Sequence, residues 1–288
     1  MYLVDVDSES REDATVRQLL STPFMLEGLL DPLGIHPELW WAATKIPHAC
    51  LVQSFSGDVD IVFGRCRLEE PGVLGSSVER WRERYPNAPQ WMHENSAVRE
   101  LAAAGGLKWP PPLDYLVAVE TKCGLYDREK QEVRSQKASP GNRRRVQRQV
   151  ELLSQMGFNR VVLLDVIANP PAIGGSGSAW LNAGAGAQHA LDNMRATLEK
   201  RLGEEAPGGH VVLSWGAVAG GDETTRGAGY PQWLRAPVDN PLLGDRATHE
   251  RRQELESNLR NILAAIPRPC SFPFLIESPL QARYRASE

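Results

Sequence analysis

Residues 116–124 read LVAVETKCG: an apolar run that carries a glutamate and, two places on, a lysine. In a strand, residues i and i+2 point the same way, so Glu120 and Lys122 share a face with Leu116 and Ala118. Burying either charge alone costs on the order of several kcal/mol. A mutual ion pair, a metal, or solvent at a cleft has to compensate. A second charged stretch, SGDVDIVFG (56–64), holds Asp58 and Asp60 on one face, with Val59, Ile61 and Phe63 turned toward a core. If the two strands are neighbours, Asp60 and Glu120 converge at one end of a sheet. Two carboxylates that close repel unless a cation lies between them. All-oxygen ligands suit Mg2+ or Mn2+, with water and a substrate phosphate filling the remaining positions. A lysine beside the ion can orient an attacking water and offset charge developing on a phosphate.

The elements that must carry these residues can be read along the chain. A capped, striped segment over 9–30 predicts a helix, with Val16, Leu19 and Leu20 on its apolar side. A second helical piece is expected over Pro37–Thr44. Cys50–Phe55 and Val59–Phe63, split by Ser56–Gly57, predict a hairpin. Residues 66–112 break the rhythm with prolines and two helical pieces, around 77–84 and 96–104, and read as an insertion. A strand follows over Tyr115–Lys122, then a helix over 142–156 closed by Gly157 as a C-cap. RVVLLDVI (160–167) predicts a fully buried strand. Ala187 to Leu202 predicts a helix, HVVLSWGAVAG (210–220) a strand, and Leu255 to Ile266 a last helix. Strands alternating with helices make this an α/β chain with a mixed sheet covered on both faces.

The acid in one apolar strand, followed by apolar-apolar-Glu-x-Lys in the next, resembles the PD-(D/E)xK nuclease superfamily. GDVDIVFG and YLVAVETKC are the segments that carry the likeness. The resemblance implies a restriction-endonuclease-like core over residues 1–65 and 113–167, with 66–112 inserted and 168–288 a C-terminal α/β extension, all in one domain. It implies Asp60 and Glu120 as Mg2+ ligands, the Thr121 carbonyl as a further ligand, and Lys122 as the residue that positions the water. The helix-then-parallel-strand order of NRRRVQRQVELLSQMGFNRVVLLDV (142–166) matches, with Gln149 as the motif glutamine. Glu27 in TPFMLEGLL is the candidate for an acid on the first helix. The likeness spans roughly residues 15–167. No proline precedes the acid, so Asp58 stands as the alternative to Asp60.

A basic stretch follows the Glu-x-Lys strand: Arg128, Lys130, Arg134, Lys137, Arg143, Arg144, Arg145 and Arg148, opposed by Glu129 and Glu132. In a chain of formal net charge −4 this is a local field of the sign that attracts phosphate. Arg145 and Arg148 are the expected backbone contacts. The glycine-rich NPPAIGGSGSAWLNAGAG (169–186) is neither a P-loop nor a dinucleotide fingerprint and reads as a surface loop. No H-E-x-x-H or G-x-S-x-G spacing occurs, and HEN at 93–95 is expected at the surface.

At 288 residues and 42% hydrophobic, the chain has ample material for a sizeable core. Four scattered cysteines predict reduced thiols rather than a disulfide frame or zinc site. With neither a signal peptide nor a membrane span evident, a cytoplasmic protein is expected. The expected activity is Mg2+-dependent (or Mn2+-dependent) hydrolysis of nucleic-acid phosphodiesters, DNA by family habit; cutting both strands would favour a homodimer. The rivals are a non-catalytic binding or scaffold subunit, and a nucleotide- or sugar-phosphate enzyme using the 174–186 loop.

Overall fold

A computed structural model describes residues 16, 19–20, 23–127, 132–134, 140–168, 185–203, 206–217, 226–228, 231–266 and 274–276. Much of the helix expected over 9–30, most of the glycine-rich stretch, Arg128, Lys130, Lys137 and Cys270 lie outside those residues. In chain order the elements are α1 (Pro23–Leu30), β1 (Trp40–Pro47), α2 (His48–Leu51), β2 (Asp58–Arg65), α3 (Val73–Arg84), α4 (Gln90–Ala103) and β3 (Leu116–Asp127). They continue with β4 (Glu132–Arg134), α5 (Pro140–Gln155), β5 (Arg160–Ala168), α6 (Ala185–Leu202), β6 (Gly209–Ala217), β7 (Arg226–Ala228), β8 (Gln232–Arg235), α7 (Arg246–Ala264) and β9 (Phe274–Ile276).

The strands join in one mixed sheet in the order β7-β6-β5-β3-β2-β1-β9, with β4 added to β3 and β8 to β6. β1, β2 and β3 form an antiparallel meander, whereas β3, β5 and β6 run parallel and are connected through α5 and α6. The sheet is buried on both sides. One core joins Ala118 and Leu163 to Val146, Val150 and Leu153 of α5 and to Leu255, Leu259 and Leu263 of α7. The other joins Ile61, Phe63, Val117 and Val119 to Val16, Leu19 and the α1 residues Leu26, Leu29 and Leu30. No helix among the described residues is long and apolar enough to cross a membrane.

Three expectations are corrected here. Trp40–Pro47 is a strand, not part of a helix, and 48–51 is one helical turn, so the hairpin is β1–β2 and its connection is His48–Gly57. Trp40 and Ala42 enter one core and Trp41 and Ala43 the other. A strand buried on both faces shows no alternation for a periodicity argument to find. The pairing also explains Gly64: it lies opposite Trp41, and a Cβ there would come within 2.3 Å of the indole nitrogen. His93, expected at the surface, is buried in α4 and bonded through Nε2 to the Tyr85 carbonyl at 2.9 Å.

The 66–112 segment leaves the sheet and returns to it through a narrow neck. Leu68 and Leu107 form an antiparallel bridge, the Glu69 amide donates to the Gly106 carbonyl at 2.8 Å, and the Lys108 amide donates to the Arg67 carbonyl at 2.9 Å. At the other end of α5, Gly157 adopts φ +93° and ends the helix as its glycine predicted, with the Arg252 Cβ 2.7 Å from where a Cβ would stand.

Candidate functional site

β2 and β3 pair with Ile61 opposite Val119 and Val62 opposite Ala118. Asp60 and Glu120 are the next residues on the two strands beyond that register, and alternation breaks there: Val59 and Val62 enter the α5 core, Ile61 and Phe63 the other. Side chains opposite each other on neighbouring antiparallel strands have Cβ atoms about 5 Å apart. Asp60 is 4% exposed and Glu120 3%. The Thr121 amide donates to Asp60 Oδ2 at 2.7 Å, which ties the two strands together through the carboxylate. Lys122 Nζ forms an ion pair with Glu120 and donates to the Thr121 carbonyl at 3.0 Å. Asp60, Glu120, Thr121 and Lys122, singled out in the sequence, therefore meet. Asp58 does not join them: it is the exposed first residue of β2. Glu27 is also exposed, on a helix whose buried residues pack against the opposite face of the sheet.

Sequence reasoning missed Lys45. Its Nζ donates to Asp60 Oδ1 at 2.6 Å. Its backbone sits at φ +53°, and the β1–β2 register passes from Thr44–Ile61 to Ile46–Val59 without a pair at Lys45. For a residue with a Cβ, the left-handed conformation costs about 1–2 kcal/mol. The signal was present in WWAATKIP, one charge in an apolar run, but the helical reading of 37–44 hid it. His48 was missed as well. It is buried, its Nδ1–H donates to the Ser56 carbonyl at 2.9 Å, and its Nε2 is shut from solvent with no partner among the described residues. A carbonyl only accepts, so the neutral ring carries its proton on Nδ1. Burial pushes the His48 pKa below the usual imidazole range, against the pull of the Ser56 hydrogen bond and the Asp58 and Asp60 carboxylates.

The polar line continues past β3. Lys122 pairs in register with Asp165 of β5, and Leu163 with His210 of β6. Asp165 is fully buried, ion-paired to Arg201 of α6 and accepting from His210 Nε2 at 2.8 Å. The lone acid in RVVLLDVI was the available clue. From Lys45 through Asp60, Glu120, Lys122 and Asp165 to His210, charged and polar groups thus cross five neighbouring strands of an otherwise apolar sheet.

α5 supplies the flank. β3 runs past Glu120 and Lys122 to Asp127, and β5 begins level with Val117, so α5 runs back between them with its first turns toward the Asp127 end of β3. Arg144, Arg145 and Arg148 are exposed there, while Val146 and Val150 face the core. Gln149 is half-buried, with its Oε1 shut from solvent and unpartnered among the described residues. A buried polar atom left so calls for an ordered water or an ion.

No cluster of three or more His, Cys, Asp and Glu side chains that could hold a metal occurs among the described residues. The candidate donors are instead two carboxylates and one main-chain carbonyl. That set has no nitrogen or sulfur and is of the hard kind that takes Mg2+ or Mn2+ with several waters retained. Two ammonium groups rest on those same oxygens, so this is a place where positive charge is stabilised. Comparison of the chain with protein-family models, curated proteins and solved structures returns no match.

Proposed function

We propose that the protein is a Mg2+-dependent endonuclease of restriction-endonuclease-like fold that hydrolyses phosphodiester bonds in nucleic acid, DNA foremost. The observation that carries this reading is the meeting of Asp60 and Lys122, 62 positions apart in sequence, around Glu120 and the Thr121 main chain. The order α1-β1-β2-β3-α5-β5, with an antiparallel meander leading to a parallel strand, supports it, as do the exposed arginines of α5, the helix that follows the Glu120 strand.

In this reading Asp60, Glu120 and the Thr121 carbonyl would hold the ion. When bound, Mg2+ supplies Lewis acidity at the scissile phosphate and makes water a better nucleophile at neutral pH. Lys122, anchored at Glu120 and Thr121, presents its ammonium to the attacking water and to charge developing on the phosphate. Arg145 and Arg148 grip phosphates of the flanking strand with guanidinium forks. Gln149 uses its unpartnered carbonyl to hold a water near the ion.

The test is cleavage of plasmid and linear DNA with and without Mg2+, by wild type and by Glu120→Gln, Asp60→Asn and Lys122→Ala. We expect Mg2+-dependent cutting by wild type and a loss of at least 100-fold in each variant, the scale on which removing one transition-state stabiliser acts. Stable DNA binding with no cutting by wild type in Mg2+ or Mn2+ would replace this reading with the non-catalytic subunit, in which Lys45–Asp60 and Lys122–Glu120 are structural ion pairs.

A further inference from the structure

The two lysines of the site differ in exposure. Lys122 reaches both Glu120 and the Thr121 carbonyl, and its side chain is 15% exposed. The Lys45 side chain is 32% exposed, while the Asp60 side chain it neutralises is 6% exposed. The carboxylate is walled in and the ammonium has a way out to solvent. Lys45 also stands on a left-handed backbone position that interrupts the β1–β2 ladder opposite Asp60. That conformation brings a long, flexible cation onto the neighbouring strand's Asp60 Oδ1, an oxygen a divalent ion would use.

We propose that Lys45 is the exchangeable counter-ion of Asp60: it holds Asp60 Oδ1 in the metal-free protein, yields that oxygen to a divalent cation, and turns its ammonium to a phosphate of the bound strand. The inference rests on the nuclease reading and assigns it a second lysine. Charge favours the exchange. Among the described contacts, the Lys45 and Lys122 ammonium groups pair with the Asp60 and Glu120 carboxylates, two charges of each sign. A divalent ion then leaves the site two charges positive, and repulsion expels the more exposed ammonium. Two phosphodiesters, the scissile one and a neighbour, restore neutrality. An Asp60 carboxylate without Lys45 would repel that strand, so the lysine guards the site when no ion is present and recruits phosphate when one is.

The experiment is a Mn2+ titration of the full chain by electron paramagnetic resonance. It compares wild type, Lys45→Asn, Lys45→Arg and Glu120→Gln, with a thermal melt of each in chelator and in Mn2+. Asparagine tolerates positive φ, so Lys45→Asn keeps the backbone while removing the cation. We expect Lys45→Asn to bind Mn2+ at least 10-fold more tightly than wild type and to gain more melting temperature from Mn2+. Its affinity for uncleaved DNA in Ca2+ should fall at least 5-fold, and Lys45→Arg should stay near wild type in both. Mn2+ affinity in a folded Lys45→Asn equal to or weaker than wild type overturns the Lys45 proposal, while the nuclease reading stands if Glu120→Gln still loses Mn2+. If wild type itself binds no Mn2+, both fall. Should Lys45→Asn melt below the assay temperature in chelator and in Mn2+ alike, Lys45 is structural and the proposal is overturned.

Discussion

A carboxylate buried as deeply as Asp60 is tolerable only with its oxygens engaged. Oδ2 takes the Thr121 amide and Oδ1 the Lys45 ammonium, so both oxygens are engaged within the protein itself. His48 works at the same scale. Its imidazole closes the β1–β2 connection by donating to Ser56, and burial disfavours its charged form. The folded pKa lies below the unfolded value of 6.5, so the unfolded state binds more protons between the two. Stability is therefore whole above about pH 6.5 and falls as the pH drops through the folded pKa. Urea unfolding from pH 8 to pH 5 should show this loss, and His48→Gln should flatten the profile across that window while lowering stability at pH 8 by about 1 kcal/mol through the lost hydrogen bond. An unchanged pH profile in the variant would clear His48 of this role. Charges in apolar strands made Asp60, Glu120 and Lys122 legible in the sequence. Lys45 was not, because which residue takes a left-handed turn opposite Asp60 is decided by a partner strand fifteen residues away.

Long elements with strong local signals were read within a few residues: α5 with its Val146–Val150–Leu153 stripe and Gly157 cap, and β5 with its unbroken apolar run. Three-residue strands such as β4, β7 and β9 were invisible because their existence depends on the edge they join rather than on their own residues. β1 was misread for the converse reason, being apolar on both faces. α5 carries the prediction at this scale. Arg145 and Arg148 are three apart and exposed, so both can meet one run of phosphates. Replacing either by alanine should weaken DNA binding by a similar factor across unrelated sequences. The slope of log affinity against log salt should become shallower by about one per arginine, as expected when one phosphate contact is lost. Fluorescence anisotropy at several salt concentrations with Ca2+ in place of Mg2+ reads this, and an unchanged slope would remove α5 from the interface.

On the scale of the whole molecule, the C-terminal third is built into the core, not hung from it. α7 lays Leu255, Leu259 and Leu263 against the residues that carry β3 and α5, and β9 returns to pair with β1. The join is made by Arg252, buried and donating to the carbonyls of Gly157 at 2.8 Å and Leu113 at 2.6 Å and to Asn159 Oδ1 at 2.9 Å. Arg252→Met should cost about 3 kcal/mol in urea unfolding, since three buried acceptors lose a charged donor. Mn2+ affinity should be unchanged, because the network lies at the start of β3, away from Glu120; a fall in affinity would tie the network to the site. The neck at Leu68 and Leu107 has a different consequence. It opens from the end of β2 opposite Asp60, roughly 17 Å away at about 3.3 Å per residue. The α3–α4 hairpin exposes Trp91 (63%) at its outer end but is anchored at its base, where Ala102 enters the α5 core and Arg99 pairs with Glu38. Its outer part around Trp91 can vary in length while Ala102, Leu68 and Leu107 keep their places, so this margin of the molecule can change without disturbing the Asp60 contacts.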